Sequence, residues 1–296
     1  MKNVLRVEGL KKSFRKHPFS FQRIEVLHGL DFEVKAGTVT GYLGANGAGK
    51  TTSLKCILNL AYPDDGRVIF FDDKTLSPEV RKRIGFLPER PYFYDYLTGR
   101  EFLTFYGQLS DKIPRNQMAE KVDRLLDRVG LGHAKDRPLR GYSKGMLQRT
   151  GIAQALLHDP EFVILDEPMT GLDPDGRLEV TELIREVASS GTAVFFSSHL
   201  LHDVEKLCDN LVIMKKGNLV YQGATKEFLG QVKEGFQICF VDNDGHMKIE
   251  KIPSIDKVQI RLDELRKSNF SVIEVKQNTL SLEEAFVKVA FGESGQ

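Results

Sequence analysis

Apolar and polar residues alternate at the start of the chain, through Val4, Arg6, Leu10 and Lys12 and again over 30–34, which predicts edge strands or a hairpin. His17-Pro18 and Lys35-Ala36-Gly37 bound these runs, and the HPFSFQRIE segment between them reads as a loop. A short apolar run at Val39–Leu43 leads directly into GANGAGKTT, after which Leu54, Ile57 and Leu58 stand at helical spacing. The order is strand, glycine loop, helix. Met118, Val122, Leu125, Leu126 and Val129 share one helical face, and Val180, Leu183, Ile184 and Val187 repeat that pattern. The unbroken apolar bursts at Phe162–Leu165, 193–196 and 211–214 have the character of strands covered on both faces. Such strands alternating with helices predict an α/β fold with a mainly parallel core sheet, its ligand crevice beyond the strand carboxyl ends. After Gly223 the pattern changes to ATKEFLG, alternating Phe236, Ile238 and Phe240, a polar DNDG turn, and then strand, helix, strand, helix, ending in SLEEAFVKVAF. The expected division is a large domain over 1–225 and a small α+β domain over 226–296.

Composition narrows the class further. At 296 residues the chain can bury a substantial core without disulfides or metals. Its 42 Lys and Arg against 41 Asp and Glu leave a formal charge of +1, which argues against a polybasic surface, so no nucleic-acid partner is expected. Cys56, Cys208 and Cys239 lie far apart and form no CxxC pair. Neither a disulfide framework nor a thiolate zinc site is expected, and a reducing compartment suits the chain. The opening MKNVLRVEGLKKSFRK lacks the apolar stretch of a secretion signal, and no run approaches the roughly 18 uncharged apolar residues of a membrane span. A role at a membrane is expected to come through a protein partner.

Candidate chemistry begins at Gly44-Ala45-Asn46-Gly47-Ala48-Gly49-Lys50-Thr51, which matches GxxxxGK[ST] between a strand and a helix. Glycines let the backbone turn tightly and aim N–H groups at phosphates, and the helix N-terminus adds positive potential. Lys50 is expected to reach the β- and γ-phosphates and Thr51 to ligate Mg2+, and Thr52 is counted with the nucleotide-binding residues. The run FVILDEP supplies a second half: a buried strand presenting Asp166 and Glu167 at its carboxyl end. Asp166 is assigned to the metal and Glu167 to the attacking water. A plain helix cap or turn is the competing reading of that pair.

With these motifs in order, the chain resembles the nucleotide-binding domain of ATP-binding cassette (ABC) proteins over about residues 3 to 222. YSKGMLQR at 142–149, TGLDP at 170–174 and SSHLLHDVE with His199 complete the set. The resemblance implies a P-loop ATPase fold with an antiparallel β subdomain and a helical subdomain at about 90–158, binding ATP and Mg2+. It also implies that Ser143 and Gly145 contact the γ-phosphate held by a second, identical cassette. His199 is implied as the switch histidine, Asp173 as a dimer-interface aspartate, and Phe14 as the ring that stacks on adenine. Taken singly, Ser143 reads as a helix cap and Phe14 as a core ring. Tyr142, Lys144 and Met146 replace Leu, Gly and Gln of the common LSGGQ signature. Glu89 stands where the family has a glutamine that contacts metal or water, and it is kept as a catalytic and metal candidate.

The aromatic run Phe93, Tyr94, Tyr96, Phe102, Phe105 and Tyr106 reads equally as a docking surface for a separate transmembrane permease subunit or as packing inside the helical subdomain. The tail, with TLSLEEAFVKV, resembles the small extensions of bacterial export-type cassettes. The expected function is therefore ATP hydrolysis that energises a transporter, with export preferred, from the cytoplasmic face of the cell membrane. The alternative is a non-transport cassette acting as a mechanical regulator. Paired cassettes in one chain or a long coiled coil would favour that alternative, and neither is visible.

Overall fold

A computed structural model describes residues 2–17, 21–199, 201–231, 233–279 and 282–291. The chain divides into two compact units, Met1–Gln222 and Gly223–Gln296.

In the first unit β1 (Asn3–Arg15) and β2 (Arg23–Lys35) pair antiparallel. β3 (Val39–Leu43) runs into α1 (Lys50–Ile57), and β4 (Asp65–Phe70) returns to the other edge of β1. The order β2-β1-β4 forms a small antiparallel sheet. Next come α2 (Pro78–Arg81), β5 (Ile84–Leu87), α3 (Gly99–Gln108), α4 (Arg115–Arg128) and α5 (Lys144–Leu156). They are followed by β6 (Phe162–Leu165), α6 (Pro174–Ser189), β7 (Ala193–Ser198), α7 (Leu201–Leu207), β8 (Asn210–Lys215) and β9 (Asn218–Ala224).

The core sheet has the order β5-β6-β7-β3-β8-β9, and every pair from β5 to β8 is parallel. β3, β6 and β7 are buried at every position, which is why their sequences are unbroken apolar runs rather than alternations. Phe32 of the antiparallel sheet meets Tyr42 and Phe195 of the core sheet at centroid distances of 5.6 and 5.8 Å. Burying rings of this size stabilises by about 1.5–3 kcal/mol each and ties the two sheets into one core. Cys56 and Cys208 are buried free thiols and Cys239 is a half-buried one.

The HPFSFQRIE segment departs from its loop expectation. Residues 18–20 lie outside the described residues, but Arg23, Ile24 and Glu25 belong to β2 and pair with Arg15, Phe14 and Ser13. These positions are exposed on both sides, so the strand leaves no apolar alternation to read. Arg23 anchors them by donating to Ser13 Oγ at 2.7 Å and Asp64 Oδ1 at 3.2 Å.

In the helical segment a capping box starts α3, with Thr98 accepting from Glu101 N–H and Glu101 accepting from Thr98 N–H. The aromatic run divides between its two readings. Phe102 is fully buried and Phe93, Tyr94 and Tyr106 are half-buried, whereas Tyr96 and Phe105 stay 67% and 41% exposed.

The second unit contains α8 (Thr225–Gln231), β10 (Lys233–Val241), β11 (Met247–Ile252), α9 (Ile255–Lys267), β12 (Ser271–Thr279) and α10 (Leu282–Phe291). Its antiparallel sheet has the order β11-β10-β12. Val258 and Leu265 of α9 pack on Ile238, Phe240 and Ile252, which is the alternation seen along that stretch of sequence. Among the described residues no helix is long and apolar enough to cross a membrane.

Candidate nucleotide site

The loop between β3 and α1 is shaped by contacts that exclude side chains. Gly49 has φ 105°, and a Cβ there would stand 2.9 Å from Leu27 Cδ2 and 3.2 Å from the Val26 carbonyl oxygen. Gly44 is pressed against Met214 in the same way, at 2.9 Å from its carbonyl oxygen. With Gly49 at the N-cap, no side chain among the described residues caps α1, so its first N–H groups are left to a phosphate. Beneath the loop Tyr42 donates to Ser53 Oγ at 2.6 Å, and Ser53 Oγ donates to the Lys50 carbonyl at 2.7 Å. Complete burial pushes the Tyr42 phenol far up, so it stays a neutral donor. The Lys50 ammonium, 6% exposed, donates to the Gly44 carbonyl at 2.6 Å and lies 3.5 Å from Glu167 Oε1.

β6 delivers Asp166 and Glu167 beside this loop, and its neighbour β7 delivers Ser197, whose role the sequence did not disclose. Ser197 Oγ donates to Asp166 Oδ1 at 2.6 Å and accepts from Glu167 N–H at 2.8 Å, fixing both acids at once. Glu167 sits in the left-handed region at φ 53°. One of its oxygens, Oε2, meets His199 Nδ1 at 2.7 Å and accepts from Thr170 Oγ1 at 3.0 Å. Burial raises the Asp166 carboxyl above its ordinary range; bonds from Ser197 and Thr51 oppose this, and the charges of Glu167 and Glu89 add to it.

That donor set is suited to Mg2+. It offers only hard oxygens, a hydroxyl and carboxylates, and Asp166 is buried beside two other acids whose repulsion a divalent cation relieves. Because its folded pKa is raised, ionised Asp166 weakens the metal-free fold, and that penalty fades as pH falls through the raised value. Asp166→Asn should therefore melt higher than wild type without metal at pH 7.5. Added Mg2+ should raise the melting temperature of the wild type and not of the variant, a difference that calorimetry reads directly. Equal responses to Mg2+ would remove Asp166 from the metal.

The open cleft has a volume of about 420 Å³, and Asn46, Gly47, Ala48, Gly49, Lys50, Thr51, Thr52, Glu89, Glu167 and His199 all line it. Val26 and Thr170 line it as well; neither was expected as a site residue, although Thr170 opens the TGLDP motif. Gly44 acts from behind, through its carbonyl bond to Lys50, and Asp166 through Thr51. Besides these two, four further expected residues are not among the lining of this cleft. Phe14 stands 46% exposed on β1 with the Lys12 ammonium 5.2 Å from its ring centroid, so it is not a core ring. Ser143 caps α5 by accepting from Met146 N–H at 3.2 Å, and Asp173 caps α6 by accepting from Gly176 N–H at 3.0 Å. Gly145 is uncrowded, an added Cβ meeting Ser143 Oγ at 3.9 Å and Leu172 Cδ2 at 4.0 Å, both ordinary contact distances. Tyr142, at the first position of the altered signature, is buried and donates to the Ala134 carbonyl at 2.7 Å, so this substitution serves the helical segment.

A glycine loop on a helix N-terminus, a buried lysine and paired acids at the end of a parallel strand define a P-loop nucleotide-binding protein. The chain belongs to the ATP-binding subunits of ABC transporters. The family model described as ABC transporter matches residues 27–170. The ABC transporter ATP-binding protein YxlF of Bacillus subtilis is 37% identical over 97% of this chain and 99% of its own length. The bacitracin transport ATP-binding protein BcrA of Enterococcus faecalis is 37% identical over 74% of this chain and 69% of its own. Among solved structures, cbiO1 of Clostridium perfringens, part of the ABC transporter complex cbiONQ, superimposes with a TM-score of 0.67 at 30% identity, covering 78% of this chain and 92% of that one.

Proposed function

We propose that this chain hydrolyses ATP to drive a membrane exporter, as one of two identical cassettes that close around two ATP molecules. The observation that carries the reading is the Glu167 carboxylate, held on one oxygen by His199 and Thr170 while the other faces Lys50. Phosphate charge draws the Lys50 ammonium from the Gly44 carbonyl. Glu167 takes a proton from the attacking water, whose oxygen bonds to the γ-phosphorus. The bond from that phosphorus to the bridging oxygen breaks, and its electron pair leaves with ADP. Thr51 and Asp166, with Glu89 beside them, would hold Mg2+, which would supply charge neutralisation on the phosphates. His199 holds Glu167 in line.

The cap at Ser143 is compatible with a second role, because its oxygen accepts from Met146 while its own O–H remains to donate to a phosphate of the facing copy. An added Cβ at Gly145 would meet only ordinary contacts, the family resemblance assigns Asp173 to the same seam, and the exposed Phe14 ring offers a face to adenine. Closure is favoured by γ-phosphate contacts and lost when that group leaves. The exposed Tyr96 and Phe105 rings, with half-buried Tyr94 between them at 6.1 and 5.7 Å, form the surface that receives the permease subunit. This attachment holds the chain peripherally on the cytoplasmic face of the membrane. The likeness to ATP-binding proteins of bacitracin transport supports a transport role, and the preference for the outward direction rests on the resemblance of the tail to the extensions of export-type cassettes.

Affinity capture of the tagged chain from detergent-solubilised membranes tests the reading. An integral membrane protein should co-purify, and Tyr96→Asp combined with Phe105→Asp should abolish its capture while leaving nucleotide binding intact. Recovery of the chain without any membrane protein would defeat the transport assignment. Retention of the partner by the double variant would defeat the docking surface alone.

A further inference from the structure

We propose that Thr170 is a positioning residue that sets the direction of the Glu167 carboxylate; this rests on reading Glu167 as the group that orients the attacking water. The local chain path brings the two side chains together. β6 ends at Leu165, Glu167 enters the left-handed region at φ 53°, and Pro168 follows with its fixed backbone angle. Thr170 N–H then donates to the Glu167 carbonyl at 3.2 Å, closing a four-residue turn with proline at its second position. That turn returns the fourth side chain toward the first, and Thr170 Oγ1 donates to Glu167 Oε2 at 3.0 Å.

The bond selects one of two carboxylate oxygens. Oε2 is held by Thr170 together with His199 Nδ1 at 2.7 Å, whereas Oε1 lies 3.5 Å from Lys50. Once Lys50 turns to phosphate charge, Oε1 is the oxygen left to accept from water. Two donors on Oε2 from different elements resist rotation of the carboxylate; His199 alone would leave it free to pivot about a single bond. Threonine is better suited to this task than serine, since its β-branch restricts χ1 and holds the hydroxyl in place. Thr170 also lines the cleft itself, so its hydroxyl works where the reacting groups meet.

The test compares Thr170→Val, which keeps shape and removes the donor, with Thr170→Ser, which keeps the donor. With the full chain, Thr170→Val should lower kcat about tenfold, the size expected for one hydrogen bond to a charged group. KM for ATP and the affinity for a non-hydrolysable ATP analogue should stay within about twofold. Thr170→Ser should recover most of the loss. In single-turnover measurements, Thr170→Val introduced into Glu167→Gln should slow the reaction no further, because the hydroxyl acts through that carboxylate. An unchanged kcat in Thr170→Val, a full additional loss in the double variant, or a serine variant as slow as valine would each overturn the proposal. Undiminished turnover in Glu167→Gln alone would instead overturn the underlying reading of Glu167, so the two failures are separate results.

Discussion

Replacing Glu167 with glutamine should lower steady-state ATP turnover by about 10²–10⁴-fold, the usual worth of a positioned general base. Glutamine has nearly the same shape and keeps an oxygen that can accept from Thr170 Oγ1, so the turn after β6 should survive. What it loses is the negative charge that accepts a proton and faces Lys50 at 3.5 Å. Released from that attraction, Lys50 meets the phosphates with less competition, and ATP affinity should be unchanged or higher. The measurement pairs phosphate release with nucleotide binding on the same preparation. A variant that turns over at the wild-type rate would remove Glu167 from the chemistry, and one that fails to bind ATP would mark a structural lesion instead.

The second large effect belongs to Gly85, in the middle of β5. A Cβ there would stand 2.1 Å from the Ala155 carbonyl oxygen and 3.2 Å from Pro160 Cγ, because the last turn of α5 lies directly on this strand. The nearest obstacle is backbone, which cannot rotate away as a side-chain tip would. Overpacking of this kind costs about 1–3 kcal/mol, which for a unit of this size corresponds to a fall in melting temperature of roughly 3–10 °C. The Gly85→Ala variant should also lose ATPase activity, since β5 holds Asp166 through the bond from Asp166 N–H to the Leu87 carbonyl at 2.8 Å and leads on to Glu89. Gly230→Ala, with nothing within 4 Å of the added carbon, serves as the control and should melt at or slightly above the wild-type temperature. Equal melting curves for the two variants would mean that α5 can lift from the sheet without cost.

The same two sites divide what could be read early from what could not. Glu167 was legible because a buried strand must end somewhere, and FVIL followed by two acids marks that end without any knowledge of neighbours. The contact at Gly85 was not, since nothing in IGFL says that Ala155, seventy positions later, will lie against it. The aromatic run divided for a related reason. Hydrophobicity assigns Phe102 and Phe105 the same preference, but only the packing of α3 determines which ring is buried and which stands out.

The sequence by itself determined the parallel core strands, the glycine loop on its helix and the acids at the end of β6, because each depends on residues adjacent in the chain: burial on both faces, backbone freedom, and strand termination. Tertiary structure alone decided the partners of those groups. Ser197 could be assigned to Asp166 and Glu167 only once β7 lay beside β6, and Thr170 to Glu167 only once the turn at Pro168 had closed. Strand order and turn geometry bring these hydroxyls to the carboxylates, and neither hydroxyl carries a periodic signal of its own. The capping bonds of Ser143 and Asp173 are local features that the residue types allow, whereas a role between two copies depends on a surface that folding creates.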